Sequence, residues 1–178
     1  MGIAHPAGRG PTDPLRFVRK SGPRYEAPYG RWGLVPTGMT LTDAKRYATF
    51  NAKAESLDER PMFKQAFAQQ RCVIPLAAFW EWPTLPGGQK QRVRIARRDA
   101  KPLLVAGLWS LTPTPDGPLE SCTIVTRPPT PDLLEVHDRM PALLLSKDLE
   151  TWLSGPPHLA RGAAMTSWEP RILQVTEA

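Results

Sequence analysis

Short apolar runs separated by turn residues dominate the hydrophobic pattern of this chain. They occupy residues 72–74, 103–109 and 121–126, and each run has the length of a buried β-strand. From residue 92 to residue 97, apolar and basic residues alternate, which predicts a strand with one apolar face and one basic face. That basic face either lines a nucleic-acid groove or is an ordinary solvated surface.

Helical patterns are fewer and shorter. Pro61 stands at a favourable first helical position, and Phe63 and Phe67 lie four residues apart, so residues 61–70 are predicted to form a helix with both aromatic side chains in the core. The pattern also predicts helices at residues 130–136 and 146–153 and strands at residues 140–145 and 172–175. Because 21 prolines limit the length of any helix, we expect an α+β fold around a mostly antiparallel sheet.

Composition narrows the class of protein. The 178 residues fit one domain, and no apolar run approaches the roughly 20 residues of a membrane helix. The first residues lack the pattern of a secretory signal, and the two cysteines, Cys72 and Cys122, lie within apolar runs, which indicates a cytoplasmic protein with reduced thiols. No Cys/His cluster has zinc-site spacing, so we expect no metal and no cofactor. The net charge of +6 favours, without requiring, a polyanionic partner.

Two polar residues stand in apolar surroundings. Glu81 lies between Trp80 and Trp82. Either it points at water, or burial raises its pKa and suits it to general acid–base work. His137 opens the segment 137–141, between a short helix and a buried strand. A lone histidine there is either structural or catalytic, and these residues alone do not decide between the two.

Six short motifs follow one another along the chain: Trp-Gly-Leu-Val-Pro at 32–36, Asn-Ala-Lys-Ala-Glu at 51–55, Arg-Cys-Val-Ile-Pro at 71–75, Phe-Trp-Glu-Trp at 79–82, Ala-Gly-Leu-Trp at 106–109 and His-Asp-Arg-Met-Pro at 137–141. In this order they resemble the SRAP family, the SOS-response-associated peptidase or abasic-site-processing family. The resemblance runs from about residue 32 to residue 153.

The resemblance implies a fold and an activity. The fold is a single domain, here residues 1–178, in which β-strands form a pseudo-barrel with short peripheral helices. Residues 32–153 match best, and residues 1–31 are a divergent or incomplete N-terminal part. The activity is binding of single-stranded DNA by a monomer, with a DNA–protein crosslink formed at abasic sites in the DNA damage or SOS response. At family level this is an enzyme, a crosslinking lyase or, by the family's name, a peptidase.

The resemblance also implies roles for particular residues. Asn51 orients the N-terminal residue or the sugar, Glu81 handles protons during ring opening and crosslink reversal, and His137 contacts the deoxyribose or a phosphate and assists proton transfer. An imine needs an acid and a base of tuned pKa near the carbon that is attacked, which agrees with these roles. The DNA-contacting residues implied by the motifs are Trp32, Pro36, Lys53 and Arg139.

The chain departs from the family pattern at its first residues. Family members begin Met-Cys-Gly-Arg, and their N-terminal cysteine traps the sugar aldehyde as a thiazolidine, whereas this chain begins Met-Gly-Ile-Ala. A thiazolidine needs an amine and a thiol on one residue, so Cys72 and Cys122 cannot replace that cysteine. We therefore expect DNA binding without the crosslink, from a chain that either starts late or has diverged. Lys53 replaces a usual arginine, and Thr37 stands where the family often has a tryptophan.

Three other functions remain open. One is a non-catalytic DNA-binding module, a pseudoenzyme of phage or plasmid origin. Another is a true peptidase, for which the sequence contains no separate Ser/His/Asp arrangement. The third is a structural domain without a ligand, which predicts that Asn51, Glu81 and His137 do not converge in the fold.

Overall fold

Twelve strands and four short helices make up the described part of the chain, which is residues 10–166, 168 and 171–177 of a computed structural model. The strands are β1 (Pro14–Arg16), β2 (Val18–Ser21), β3 (Arg24–Glu26), β4 (Tyr29–Trp32), β5 (Asn51–Lys53), β6 (Arg71–Leu76), β7 (Phe79–Glu81), β8 (Val93–Arg97), β9 (Leu103–Thr114), β10 (Gly117–Arg127), β11 (Met140–Pro141) and β12 (Leu173–Glu177). The helices are α1 (Leu41–Ala44), α2 (Pro61–Gln69), α3 (Leu149–Ser154) and α4 (Pro157–Met165).

The strands form two sheets. The larger sheet has the order β1-β4-β10-β9-β6-β2-β3, and β5 and β11 also pair with β10. Only β4 and β5 run parallel to β10, and the other described pairs are antiparallel. The smaller sheet has the order β12-β8-β7. The expected α+β fold, a mostly antiparallel curled sheet with short peripheral helices, is confirmed.

The larger sheet separates two hydrophobic cores. On β6, Cys72, Ile74 and Leu76 face one core, which also receives Phe79 from the smaller sheet. Val73 faces the opposite core, where α2, α3 and α4 pack. This alternation follows from the period of two in a β-strand. Both faces of the central strands are therefore buried, which explains why their sequences are continuous apolar runs.

The structure differs from the sequence-based elements at three places. The helix expected after Thr130 is a single 3-10 turn, Pro131–Leu133. The strand expected at residues 140–145 ends at Pro141, and only an isolated bridge at Leu143 follows. The helix α4 was not predicted, because the prolines after Gly155 suggested an end, whereas Pro157 occupies the first turn of a new helix.

A buried arginine joins two helices to the larger sheet. The Arg71 side chain is 6% exposed, and its guanidinium donates to four backbone carbonyls. The acceptors near the end of α2 are the Phe67 and Ala68 carbonyls, at 2.6 and 3.3 Å. The acceptors at the end of α3 are the Trp152 and Gly155 carbonyls, both at 2.5 Å. Arg71 thereby satisfies carbonyls that a helix C-terminus leaves without an intrahelical partner.

We expect Arg71→Met to destabilise the protein by about 3 kcal/mol, because the helix carbonyls would stay buried without donors. For a chain of this size, that loss corresponds to roughly 10 °C in melting temperature, measurable by circular dichroism. Arg24→Met is the matched control, since Arg24 is exposed on β3. An equal melting temperature for the two variants would contradict the structural role of Arg71.

Candidate active site and nucleic-acid interface

Glu81 ends β7 on the face that turns toward the main core. Phe79 and Glu81 point to this face, whereas Trp80 packs on the opposite face with Ala78. The Glu81 side chain is consequently 2% exposed. The two flanking indoles therefore do not enclose the acid, because alternation along β7 directs them away from it.

Burial raises the pKa of Glu81 to about 7, and the negative charge of the Asp138 carboxylate adds to the shift. Among the described residues, the only basic side chain within salt-bridge distance is His137, whose Nε2 lies 3.9 Å from Glu81 Oε2. A carboxyl group with this pKa is close to half protonated at neutral pH, so it can either donate or accept a proton.

His137 is held by its own turn. Its backbone N–H donates to the Leu133 carbonyl at 3.1 Å, and its Nδ1 accepts from the Arg139 backbone N–H at 2.9 Å. The Oδ1 atom of Asp138 also lies 2.9 Å from Nδ1. Nδ1 therefore has a partner whether or not it carries a proton: the Arg139 N–H donates to the bare nitrogen, and the Asp138 carboxylate or the Arg139 carbonyl, at 3.1 Å, accepts from an Nδ1–H group. The Nε2 atom is left to face Glu81.

Arg139 connects the His137 segment to the segment that begins at Asn51. Its guanidinium forms two hydrogen bonds with the Glu55 carboxylate, at 2.5 and 2.9 Å, and donates to the Thr126 carbonyl at 2.8 Å. This arginine holds the pKa of Glu55 below its usual value. Arg139 is expected to contact DNA, but in the structure its side chain is already bound to the Glu55 carboxylate.

Asn51 and Lys53 lie on β5, where they pair with Ile124 and Thr126 of β10. The Oδ1 atom of Asn51 is buried and has no hydrogen-bond partner in the part of the chain that the structure describes. A buried acceptor without a donor is costly, so this oxygen is suited to a ligand that brings one. Lys53 is exposed. The structure brings Glu81 and His137 together and places Asn51 on the strand that leads to Glu55.

A cavity of about 690 Å³, here called the β5–α2 cavity, opens beside Asn51. Its lining includes the apolar and aromatic side chains of Met39, Tyr47, Met62 and Phe63. Glu81 and His137 are not among its lining residues. The candidate site therefore consists of two parts, an acid–base pair and a neighbouring cavity.

The remaining residues expected to contact DNA have different positions. Pro36 lines the β5–α2 cavity, as Lys53 does. The Trp32 side chain is only 1% exposed, and its indole N–H donates to the Phe50 carbonyl at 2.8 Å. Trp32 is a core residue here, so its ring is not available for stacking on a base. The expectation for its side chain is corrected, because β4 directs it into the main core.

Three residues of the cavity were not predicted from the sequence to be site residues. Tyr47 is 58% exposed, and Arg60 is an exposed cation at the start of α2. Phe63, predicted to be core, packs against the helix-side core and also lines the cavity. For Arg60, the sequence signal is its position directly before Pro61, where the helix begins. Nothing in the local pattern indicated that Tyr47 approaches this helix.

Neither cysteine is accessible. Cys72 and Cys122 are both 0% exposed, and burial raises the pKa of Cys72 well above its usual value and that of Cys122 to about 12. Both thiols therefore behave as apolar core groups rather than nucleophiles. In the described ranges of the chain, no group of three or more His, Cys, Asp or Glu side chains is arranged to hold a metal ion. No described helix is long and apolar enough to span a bilayer.

Comparison with known proteins gives consistent results. The family model described as SOS response associated peptidase (SRAP) matches residues 8–176. The Bacillus subtilis abasic site processing protein YoqW is 37% identical over 125 residues, which cover 70% of this chain and 55% of YoqW. The Saccharomyces cerevisiae abasic site processing protein YMR114C is 35% identical over 123 residues, which cover 68% of this chain and 32% of the yeast protein. The chain thus spans about half or less of the length of these relatives.

A solved structure of a Bordetella bronchiseptica protein has the same fold. It superposes with a TM-score of 0.86 at 29% sequence identity, covering 98% of this chain and 88% of that chain. The similarity therefore extends over strands β1 to β4, which precede the best-matching sequence motifs, and not only over residues 32–153.

We expect the stability of the protein to report the raised pKa of Glu81. Because the folded state binds this proton more tightly than the unfolded chain does, ionisation of Glu81 lowers stability as pH rises from about 5 to about 8. Glu81→Gln has no such proton, so its free energy of unfolding relative to wild type should rise by about 2–3 kcal/mol over this interval.

Urea unfolding at a series of pH values measures this difference. Glu59→Gln is the control, because it removes one exposed carboxylate from the loop before α2. A difference between Glu81→Gln and wild type that stays constant from pH 5 to pH 8 would show that burial does not perturb Glu81.

Proposed function

This chain belongs to the SRAP (SOS response associated peptidase) family, and on that premise we propose that it binds single-stranded DNA at abasic sites and opens the abasic sugar ring. The observation that carries the proposal is the pairing of a buried carboxyl, Glu81, with His137 at 3.9 Å. This separation is wider than a hydrogen bond, so a hydroxyl bound to one side of the two groups can reach both.

Ring opening needs one proton removed and one supplied. The proton of the C1′ hydroxyl leaves, the bond between C1′ and the ring oxygen breaks, and that oxygen receives a proton to become the 4′-hydroxyl. Neutral His137 with its proton on Nδ1, directed at the Asp138 carboxylate, accepts the first proton through Nε2, and protonated Glu81 supplies the second. Acid–base catalysis of this kind is strongest when the pKa of the acid lies near the working pH, as that of Glu81 does.

The DNA strand is bound by charge and by the β5–α2 cavity. The chain carries a net charge of +6, and Lys53 and Arg60 place two exposed cations at the cavity. Cations that neutralise phosphates release counterions, which gives affinity without sequence preference. Asn51 supplies a buried amide oxygen that can accept a hydrogen bond from the bound strand.

Formation of a covalent crosslink to the abasic site needs groups other than Glu81 and His137. A thiazolidine requires a thiol and an amine on one residue, and both cysteines of this sequence are buried in strands. We therefore propose non-covalent recognition of the abasic site by the residues of this chain.

We expect single-stranded oligonucleotides to bind with an affinity that falls steeply with salt, measured by fluorescence anisotropy. Lys53→Gln should lower the slope of log affinity against log salt by about 0.7, the value for one phosphate contact in single strands. Lys147→Gln is the matched control, because Lys147 is exposed in the Ser146–Asp148 turn, away from the cavity lining. Absence of any binding to single strands would refute the proposed function.

Ring opening is measured by trapping the aldehyde of a natural abasic oligonucleotide with an alkoxyamine. We expect the protein to accelerate trapping, and Glu81→Gln and His137→Ala to lose about 100-fold of that acceleration. Glu59→Gln is the control for removal of a carboxylate. DNA binding with no acceleration by wild type would support the non-catalytic module. A covalent band on a denaturing gel would contradict the non-covalent proposal.

A further inference from the structure

The β5–α2 cavity is larger and less polar than a phosphate contact requires. Its volume of about 690 Å³ lies in the range of small-molecule sites. Met39, Met62 and Phe63 are half-buried in its lining, and Tyr47 is 58% exposed. The backbone turns at Gly38 with φ of +87°, and no atom lies within 4 Å of where a side chain would begin. The mouth of the cavity is therefore open.

Several polar groups also line the cavity. Asn51 presents a buried carbonyl oxygen without a partner among the described residues. Lys53 and Arg60 are exposed, and no salt bridge within the described residues engages either side chain. Thr37 contributes a hydroxyl, which lies 3.3 Å from the Ser110 hydroxyl. A lining that combines apolar and aromatic side chains with a hydrogen-bond acceptor and two cations fits a flat heterocycle that carries a phosphate.

The cavity is linked to the acid–base pair through one ion pair. From Asn51 the chain runs through Lys53 to Glu55, which binds Arg139, and Arg139 lies two residues after His137. Asn51 thus lies at the cavity end of a segment whose other end contacts the His137 turn. A strand whose sugar occupies the acid–base pair would place its neighbouring nucleotide over Asn51 and Lys53.

Building on the proposed function, we propose that the β5–α2 cavity binds the nucleobase of the nucleotide next to the abasic position. Met39, Met62, Phe63 and Tyr47 contact the unstacked base. The Asn51 oxygen accepts from a base N–H group. Contact between a base and aromatic or apolar side chains is sequence-tolerant, because every base has a π face. The cavity therefore recognises an unpaired base without reading a sequence.

The test combines oligonucleotides that lack one base with protein variants whose larger side chains fill the cavity. Three oligonucleotides each carry a tetrahydrofuran abasic analogue at one position. The second lacks in addition the base on the 5′ side of the analogue, and the third lacks the base on the 3′ side. We expect one of these additional removals to weaken binding to wild type about tenfold, the effect of losing one stacked base. Less than a twofold effect from both removals would overturn the proposal.

Two substitutions fill the cavity with aliphatic volume that cannot itself stack on DNA. Ala48→Leu and Ser56→Leu both add a side chain at lining positions, one exposed and one half-buried. Each substitution should weaken binding of the first oligonucleotide, which keeps both neighbouring bases, about tenfold. It should leave unchanged the binding of the oligonucleotide whose additional base removal weakens binding to wild type. Equal losses for both oligonucleotides would show that the substitution acts elsewhere. Ala68→Leu, an exposed change on α2 outside the cavity lining, is the matched control.

A third measurement separates a DNA base from a free nucleotide. Methyl resonances of Met39 and Met62 should shift when the abasic oligonucleotide is added to the intact chain. Deoxyadenosine monophosphate or thymidine monophosphate at the same concentration should not shift them. An equal response to a monophosphate would overturn the proposal in favour of a nucleotide site. If wild type binds no oligonucleotide at all, the proposed function fails as well. If it binds without dependence on the neighbouring base, the cavity proposal alone fails.

Discussion

Backbone hydrogen bonding along β10 is the interaction on which the rest of the structure depends. One edge of this strand pairs with β9 and then, near its end, with β11, while the other edge pairs with β4 and then with β5. Because each edge changes partner along its length, segments from four parts of the sequence are fixed around a single strand. Thr126 is the meeting point, since it pairs with Lys53 on one side and with Pro141 on the other.

This arrangement assembles the candidate site from distant segments. With Lys53 and Pro141 held against Thr126, Arg139 reaches both the Thr126 carbonyl and the Glu55 carboxylate. The acid comes from elsewhere: Glu81 belongs to the smaller sheet and is brought to His137 by packing of that sheet on the main core. A shift of either sheet would therefore change the separation of the acid–base pair without altering any of its residues.

Two buried ionisable groups, Arg71 and Glu81, differ in whether neighbouring groups compensate their charge. The guanidinium of Arg71 is surrounded by four carbonyls that it satisfies, so its charge serves to hold α2 and α3 on the sheet. Glu81 is also buried, but in the described chain no lysine or arginine forms a salt bridge with it, and its pKa rises to about 7. A buried group that is left uncompensated is a common feature of catalytic sites, where a readily exchanged proton is useful.

The sequence by itself determined the strand-rich α+β class, the helix that begins at Pro61 and the order of the SRAP motifs, because these depend on local periodicity and on residue identity. Only the tertiary structure decided that Trp32 is core, that Arg139 is engaged by Glu55 and that Tyr47 lines a cavity with Met62. These outcomes depend on contacts between segments far apart in sequence, and such contacts are set by sheet pairing and burial rather than by the neighbours of each residue.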